Sequence, residues 1–291
     1  MKRLSGLFGT TKTAFQILSD LYLDHESQYL TFHIPVSAPY LILAGNIGRL
    51  ADYDLYLSFL IRRCNLYEKV YLVLGSLEFQ GVSHWEGMQL VHQLEKEAAT
   101  RGRLQILYRK KVDVPGTNVT LLGCTLWSHI PDVAVASVLQ KAPEFDSEIG
   151  IRRWDVGSHN EEHFKDISWL RTELNSHKNL AGSTASPSSS VQRILVSSFT
   201  PDLRNTLPPW QVHSPWCHAY GTDLLNNTDW VGIKYWIHGT TGRTGKVKRY
   251  GVKVVSNQRG CVGEDDKGIL KDGMSDKDKE GIFDITKVIK V

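Results

Sequence analysis

The residues that invite chemistry stand where apolar runs stop. Residues 14–19 have strand character, end on Asp20, and are followed by Leu21-Tyr22 and a turn. A carboxylate at the carboxyl end of a strand faces the crevice where ligands gather in open α/β sheets, and ionisation there costs less than in mid-strand. Asp20 is thus a candidate general base, and Tyr22 is a phenol able to hold a developing oxyanion. Four more apolar runs end in short polar or glycine-bearing turns. These are Gly45-Asn46 with Arg49 just beyond, Gly75-Ser76-Leu77-Glu78, Ser197-Ser198-Phe199-Thr200, and His238-Gly239-Thr240. Brought to one edge, they would line a pocket with Asp20, Tyr22, Asn46, Leu77, Glu78, Ser198, Phe199, Thr240 and His238. Glu78 and His238 join Asp20 and Tyr22 as acid/base candidates, and Arg49 is placed to meet a carboxylate or phosphate on a ligand.

Each residue also has a plainer role. Asp20 can cap a turn, Glu78 can start a helix or pair with a cation, His238 can be a bonded core histidine, and Arg49 can be a solvated charge. His159 and His163 share one face of a helix, but two imidazoles alone do not complete a zinc site. Trp210, Trp216, Tyr220 and Trp127 lie on long loops and could cover the pocket. Organic-ligand sites are largely apolar with a few placed polar groups, which makes Trp210 and Trp216 candidate substrate contacts.

Strands and helices must position these groups. Apolar runs at 40–44 and 70–74 are too short for helices, whereas 52–63 and 84–100 carry helical spacing. Short strands follow at 104–108 and 119–122, a strong helix at 160–176, and further strands at 193–196, 235–237 and 251–256. This alternation predicts an α/β fold with sheets covered by helices. The Ser-rich stretch at 179–190 reads as a mobile surface loop and 264–281 as a charged surface loop, within one domain spanning 1–291.

Bulk properties exclude several classes. A formal net charge of +3 on 291 residues makes no case for nucleic acid or an anionic membrane, and no segment is apolar enough for a secretion signal or a span. Arg109-Lys110-Lys111 reads as a solvated strand end. The four cysteines form no C-x-x-C pair, which suits reduced thiols in a cytoplasmic protein. Oligomeric state is not legible.

The five strand ends resemble those of the calcineurin-like metallophosphoesterases, over about residues 15–259. The framing residues Ile17-Leu18-Ser19-Asp20-Leu21, Leu43-Ala44-Gly45, Val73-Leu74-Gly75 and Trp236-Ile237-His238-Gly239 carry the likeness. So do Trp154…His159-Asn160…His163…Asp166…Trp169-Leu170 and 256–260. The resemblance implies a two-sheet sandwich flanked by helices in four layers, α/β/β/α. Members of that family carry Asp-x-His, Gly-Asp, Gly-Asn-His-Glu, a histidine after the fourth strand, and Gly-His-x-His, which hold two metals that clamp a phosphate.

At the matching positions this chain keeps Asp20 and Glu78 but has Tyr22, Asn46, Ser76, Leu77, Ser198, Thr240 and Gly242. One carboxylate, one amide and several hydroxyls are a poor set for two divalent cations, so the expectation is no metal and no cofactor. The leading expectation is a metal-independent enzyme acting on a small organic molecule, of isomerase, cyclase or lyase type. A non-catalytic binding or regulatory protein, and a weak single-metal phosphoesterase, are the alternatives. An open pocket beside Asp20 and Tyr22 would favour the enzyme, and one packed shut would count against it.

Overall fold

The computed structural model describes residues 12–180, 191–260 and 281–291. Eleven strands among them form two mixed sheets. The first sheet holds β1 (Ala14–Leu18), β2 (Tyr40–Ala44), β3 (Lys69–Val73), β4 (Leu104–Ile106) and β11 (Val288–Lys290), in the order β11-β1-β2-β3-β4. The second holds β5 (Lys110–Asp113), β6 (Val119–Cys124), β7 (Gln192–Ser197), β8 (Ile233–His238), β9 (Gly245–Arg249) and β10 (Val252–Ser256), in the order β5-β6-β7-β8-β10-β9. Interior strands of both sheets pair in parallel; antiparallel neighbours close three of the four edges, while the edge strand β4 pairs in parallel with β3.

Strand parity explains the layering, because successive side chains point to opposite faces. Phe15, Ile17, Ile42, Tyr71 and Val73 meet Leu121, Ile194, Val196 and Ile237 in a core between the sheets. The opposite face of the first sheet carries Leu18, Leu41, Leu43, Val70 and Leu72. It is covered by α1 (Tyr53–Leu66) and α3 (His84–Lys96), with the short α2 (Ser76–Phe79) between them. On the outer face of the second sheet, Leu122, Leu195 and Trp236 pack against Ile167, Leu170 and Leu174 of α5 (Val156–Leu180). The short helices α4 (Val135–Leu139) and α6 (Leu203–Thr206) lie in the long connections. The result is the expected four-layer α/β/β/α sandwich.

Several details differ from expectation. α3 stops at Lys96 and a separate 3-10 turn covers Ala98–Thr100. α5 begins earlier and ends later than expected, reaching Leu180. Residues 181–190 and 261–280, where the two surface loops were expected, lie outside the described residues.

The basic cluster is not a solvated strand end. Arg109 Nη1 lies 2.9 Å from both Glu162 and Asp166 of α5, Lys110 pairs with Glu95, and Lys111 pairs with Glu173. Partners more than fifty residues downstream on a helix are invisible to local sequence reading. Among the described residues, no helix is long and apolar enough to cross a membrane. Cys64, Cys124 and Cys217 are free thiols.

Candidate functional site

The parallel strands deliver their carboxyl ends to one edge of the sandwich, where a dense hydrogen-bond cluster forms. Its hub is Asn46, in the turn after β2. The Asn46 amide donates from Nδ2 to Asp20 Oδ1 at 2.9 Å and to Thr240 Oγ1 at 3.2 Å. Its Oδ1 accepts from the backbone N–H of Leu77 at 3.1 Å. One side chain therefore ties together the ends of β1, β2, β3 and β8. Asp20 also accepts from the backbone N–H of Thr240, at 3.1 Å to each carboxylate oxygen. The Thr240 hydroxyl lies 3.2 Å from Ser198 Oγ and donates to Ser198 O at 3.0 Å.

Glu78 forms the second layer of the cluster. It is fully buried and accepts from the N–H groups of Asn46, Ile47 and Gly75 at 3.0, 2.8 and 2.6 Å, and from the Tyr56 hydroxyl at 3.1 Å. Burial pushes its carboxyl up to about 7, against the pull of those three amides. Glu78 thus holds the β2 and β3 turns against each other. Tyr56, on α1, carries no motif that marks it; only its helical spacing relative to Phe59 and Leu60 places it on the buried face.

The cluster is close-packed. A Cβ on Gly45, whose φ is +84°, would collide with Ser198 Oγ, and one on Gly75 would collide with Asn46 Oδ1. Asp20, Tyr22, Asn46 and Thr240 all have left-handed backbone, with φ of 52°, 48°, 55° and 70°. Asp and Asn enter this region readily, while a β-branched Thr or bulky Tyr does so only when its surroundings hold it there. Leu77 and Phe199 are buried, and Phe199 packs 5.5 Å from Trp127, ring to ring. Tyr22 and Thr240 are the members that keep partial exposure.

Other expected members stand apart. Arg49 is bound to the chain's own acids, with Nε 3.1 Å from Asp52 Oδ2 and 3.7 Å from Asp24 Oδ2. His238 shares strand parity with Trp236, so its ring leaves on the outer face of the second sheet. There it lines a small cavity of about 50 Å³ with Asn205, Thr206 and Ser256. Its Nδ1 lies 3.0 Å from Gly239 O, and burial lowers its pKa to about 4. Trp210 is 78% exposed. Trp216 lies beneath the Lys141 ammonium, and Tyr220 packs on the satellite core of Ile130, Ala134 and Val138. Trp127 is not a lid. It is fully buried beside Phe79, Trp154 and His159.

The donor set does not suit a two-metal centre. Asn46 turns its amide nitrogen, which cannot ligate a cation, toward Asp20. Glu78 already has four donors. His159 and His163 are buried on α5, bonded to Ser128 Oγ and Trp127 O. Among the described residues, no three His, Cys, Asp or Glu side chains are grouped to hold a metal ion.

Among solved structures, phosphopantetheinyl hydrolase from Mycobacterium tuberculosis matches with a TM-score of 0.58 at 14% identity, covering 86% of this chain and 90% of that one. The shared architecture is the metallophosphoesterase sandwich. A candidate 5′-nucleotidase from Staphylococcus aureus, crystallised with α-ketoglutarate, matches at 13% identity with a TM-score of 0.44, covering 86% of this chain and 49% of that one. No protein-family model matches the sequence, and no curated protein does. The likeness to the hydrolase is one of fold.

Proposed function

We propose that this chain uses the metallophosphoesterase fold without two-metal phosphoester hydrolysis, as a metal-independent binding protein for a small organic molecule. One observation carries the reading. Asn46 donates to Asp20 and Thr240 while accepting from Leu77, so the positions where the family resemblance expects metal ligands bond one another. A carboxylate saturated by an amide and a backbone N–H is neither a free ligand nor a free base. Metal analysis of the purified protein, with a phosphodiester assay in manganese or magnesium, tests this. The expected result is no stoichiometric metal and no hydrolysis above buffer. Tight stoichiometric metal with metal-dependent turnover would overturn it.

A second reading, metal-independent acid/base catalysis of isomerase, cyclase or lyase type, draws on Tyr22. It stays partly exposed with a strained left-handed backbone at the mouth of the cluster, and strain of that kind concentrates at functional sites. In this reading Tyr22 is the proton donor and Thr240 orients the ligand. Wild type and Tyr22→Phe would be incubated with a metabolite extract and compared by mass spectrometry. Product signals that need the phenol would support catalysis, and identical profiles would sink it.

A further inference from the structure

A sizeable cavity lies away from the strand-end cluster. It is a groove of about 870 Å³ between the first turns of α3 and α5, within the size range of small-molecule sites. We infer that this groove binds a planar aromatic molecule bearing an anionic group, with Trp85 and Trp154 taking the ring and Arg153 the anion.

The aromatic walls are asymmetric. Trp154 is held, its ring 5.2 Å from His84 and 4.9 Å from Trp127. Trp85 is 70% exposed on the first turn of α3, so a large apolar surface stands in water beside the groove. Indoles take up planar rings by stacking at low conformational cost.

Charge decides the sign of the ligand. Three acids line the groove, and each has a partner. Glu86 binds Arg152 at 2.9 Å and the Ser83 cap. Glu161 lies 2.7 Å from Lys165, and Glu162 binds Lys165 and Arg109, both at 2.9 Å. A cation would have to displace one of those partners. Arg153 also lines the groove; its charge acts on Glu86, but among the described residues it makes no ion pair within 4 Å, so an anion can take its guanidinium without breaking a salt bridge. The backbone presents it deliberately. Arg152 N–H bonds Val82 O, Trp154 N–H bonds Ile151 O, and Arg153 between them has φ of 57°. A non-glycine residue in that conformation persists only where its neighbours impose it.

This inference stands apart from the metal and hydrolysis measurements above, so either can fail alone. The probe is 2-naphthoate, with neutral 2-naphthalenemethanol as its uncharged counterpart, titrated by calorimetry. Protein labelled with 5-fluorotryptophan reports the position by fluorine NMR, Trp85→Phe assigning the Trp85 signal. Naphthoate is expected to bind and to shift that signal. Arg153→Gln and Trp85→Ala, both exposed and so compatible with folding, should each weaken binding about tenfold, as loss of one charge-assisted contact or one stacking face does. The neutral probe should bind about tenfold more weakly than naphthoate and be indifferent to Arg153→Gln. Equal affinity of the two probes, or unchanged naphthoate affinity in both variants, would overturn the inference.

Discussion

The Asn46 amide and the Asp20 carboxylate meet at 2.9 Å, Nδ2 to Oδ1, where the buried turns after β1 and β2 come together. A second carboxylate at that distance would need a cation to separate the charges. An amide does not, and the contact is stabilising in the absence of metal.

Asn46→Asp should therefore destabilise the protein. It sets two acids side by side and removes a donor from both Asp20 and Thr240. The expected cost is about 2–4 kcal/mol at neutral pH, shrinking as the medium is acidified and one acid takes up a proton. Urea unfolding of both proteins at pH 7.5 and 5 measures it, and a neutral effect at pH 7.5 would contradict the cluster.

Glu78→Gln keeps the shape of the buried acid but turns one of its oxygens into a donor. Four hydrogen-bond donors converge on Glu78, so at least one buried N–H is left facing an N–H. A loss of about 2–3 kcal/mol is expected, with Tyr56→Phe near 1 kcal/mol because it removes a single bond. Chemical unfolding midpoints with unchanged slopes would report both.

Arg109 and Lys110 are neighbours with different expected effects. Arg109→Ala leaves Asp166 and Glu162 without their shared cation, with Asp166 fully buried, and should cost about 3–5 kcal/mol. Lys110→Ala breaks only the half-exposed pair with Glu95 and should cost about 0.5 kcal/mol or less. Thermal melts of the two variants side by side separate the cases.

Two buried neutral histidines each oppose folding as the medium is acidified. Burial lowers the pKa of His159 to about 3 and of His238 to about 4, while unfolded histidine titrates near 6.5. Between those values the unfolded chain binds more protons, so stability is fully present above about pH 6.5 and falls as pH drops toward 4. The loss is on the order of 2 kcal/mol per histidine by pH 5. The difference in unfolding free energy between wild type and His238→Asn, followed from pH 7.5 to 5, isolates this contribution from the opposite one of Glu78, Glu144 and Asp166, whose carboxyls burial raises to about 7.

Much of the fold was legible because glycine and polar turns punctuate the buried strands so sharply. Ser19-Asp20, Gly45-Asn46, Gly75 and Gly239 all fall at strand ends, as their positions after apolar runs imply. Edge strands were harder. Lys110–Asp113 and Gly245–Arg249 each carry a single large apolar residue among charged ones because one face meets solvent, and neither run stands out as a strand. The site was legible in membership more than in state. Asp20, Asn46, Glu78, Ser198 and Thr240 do converge, but the bonds that close them run largely through backbone N–H groups, which residue identity does not reveal. His238 was misplaced by a single step of strand parity: its ring leaves on one face while Thr240, after the turn at Gly239, comes back to Asp20. Trp85 and Arg153 lie in no apolar periodicity or acid/base motif, and only their juxtaposition across a groove gives them meaning.

The closure of Asp20 has a consequence for how the chain is made. Its carboxylate is satisfied from residue 240, and the end of β1 is stapled by Asn257, whose Nδ2 donates to Ile17 O at 2.7 Å. Both partners are synthesised more than two hundred residues after the groups they bind. During translation Asp20 must therefore wait, hydrated, at an unfinished edge, and long-range closures of this kind are entropically late steps. A nascent chain arrested before residue 240 should hold its first sheet open at that edge, exposed to chaperones and proteases until the final strands arrive.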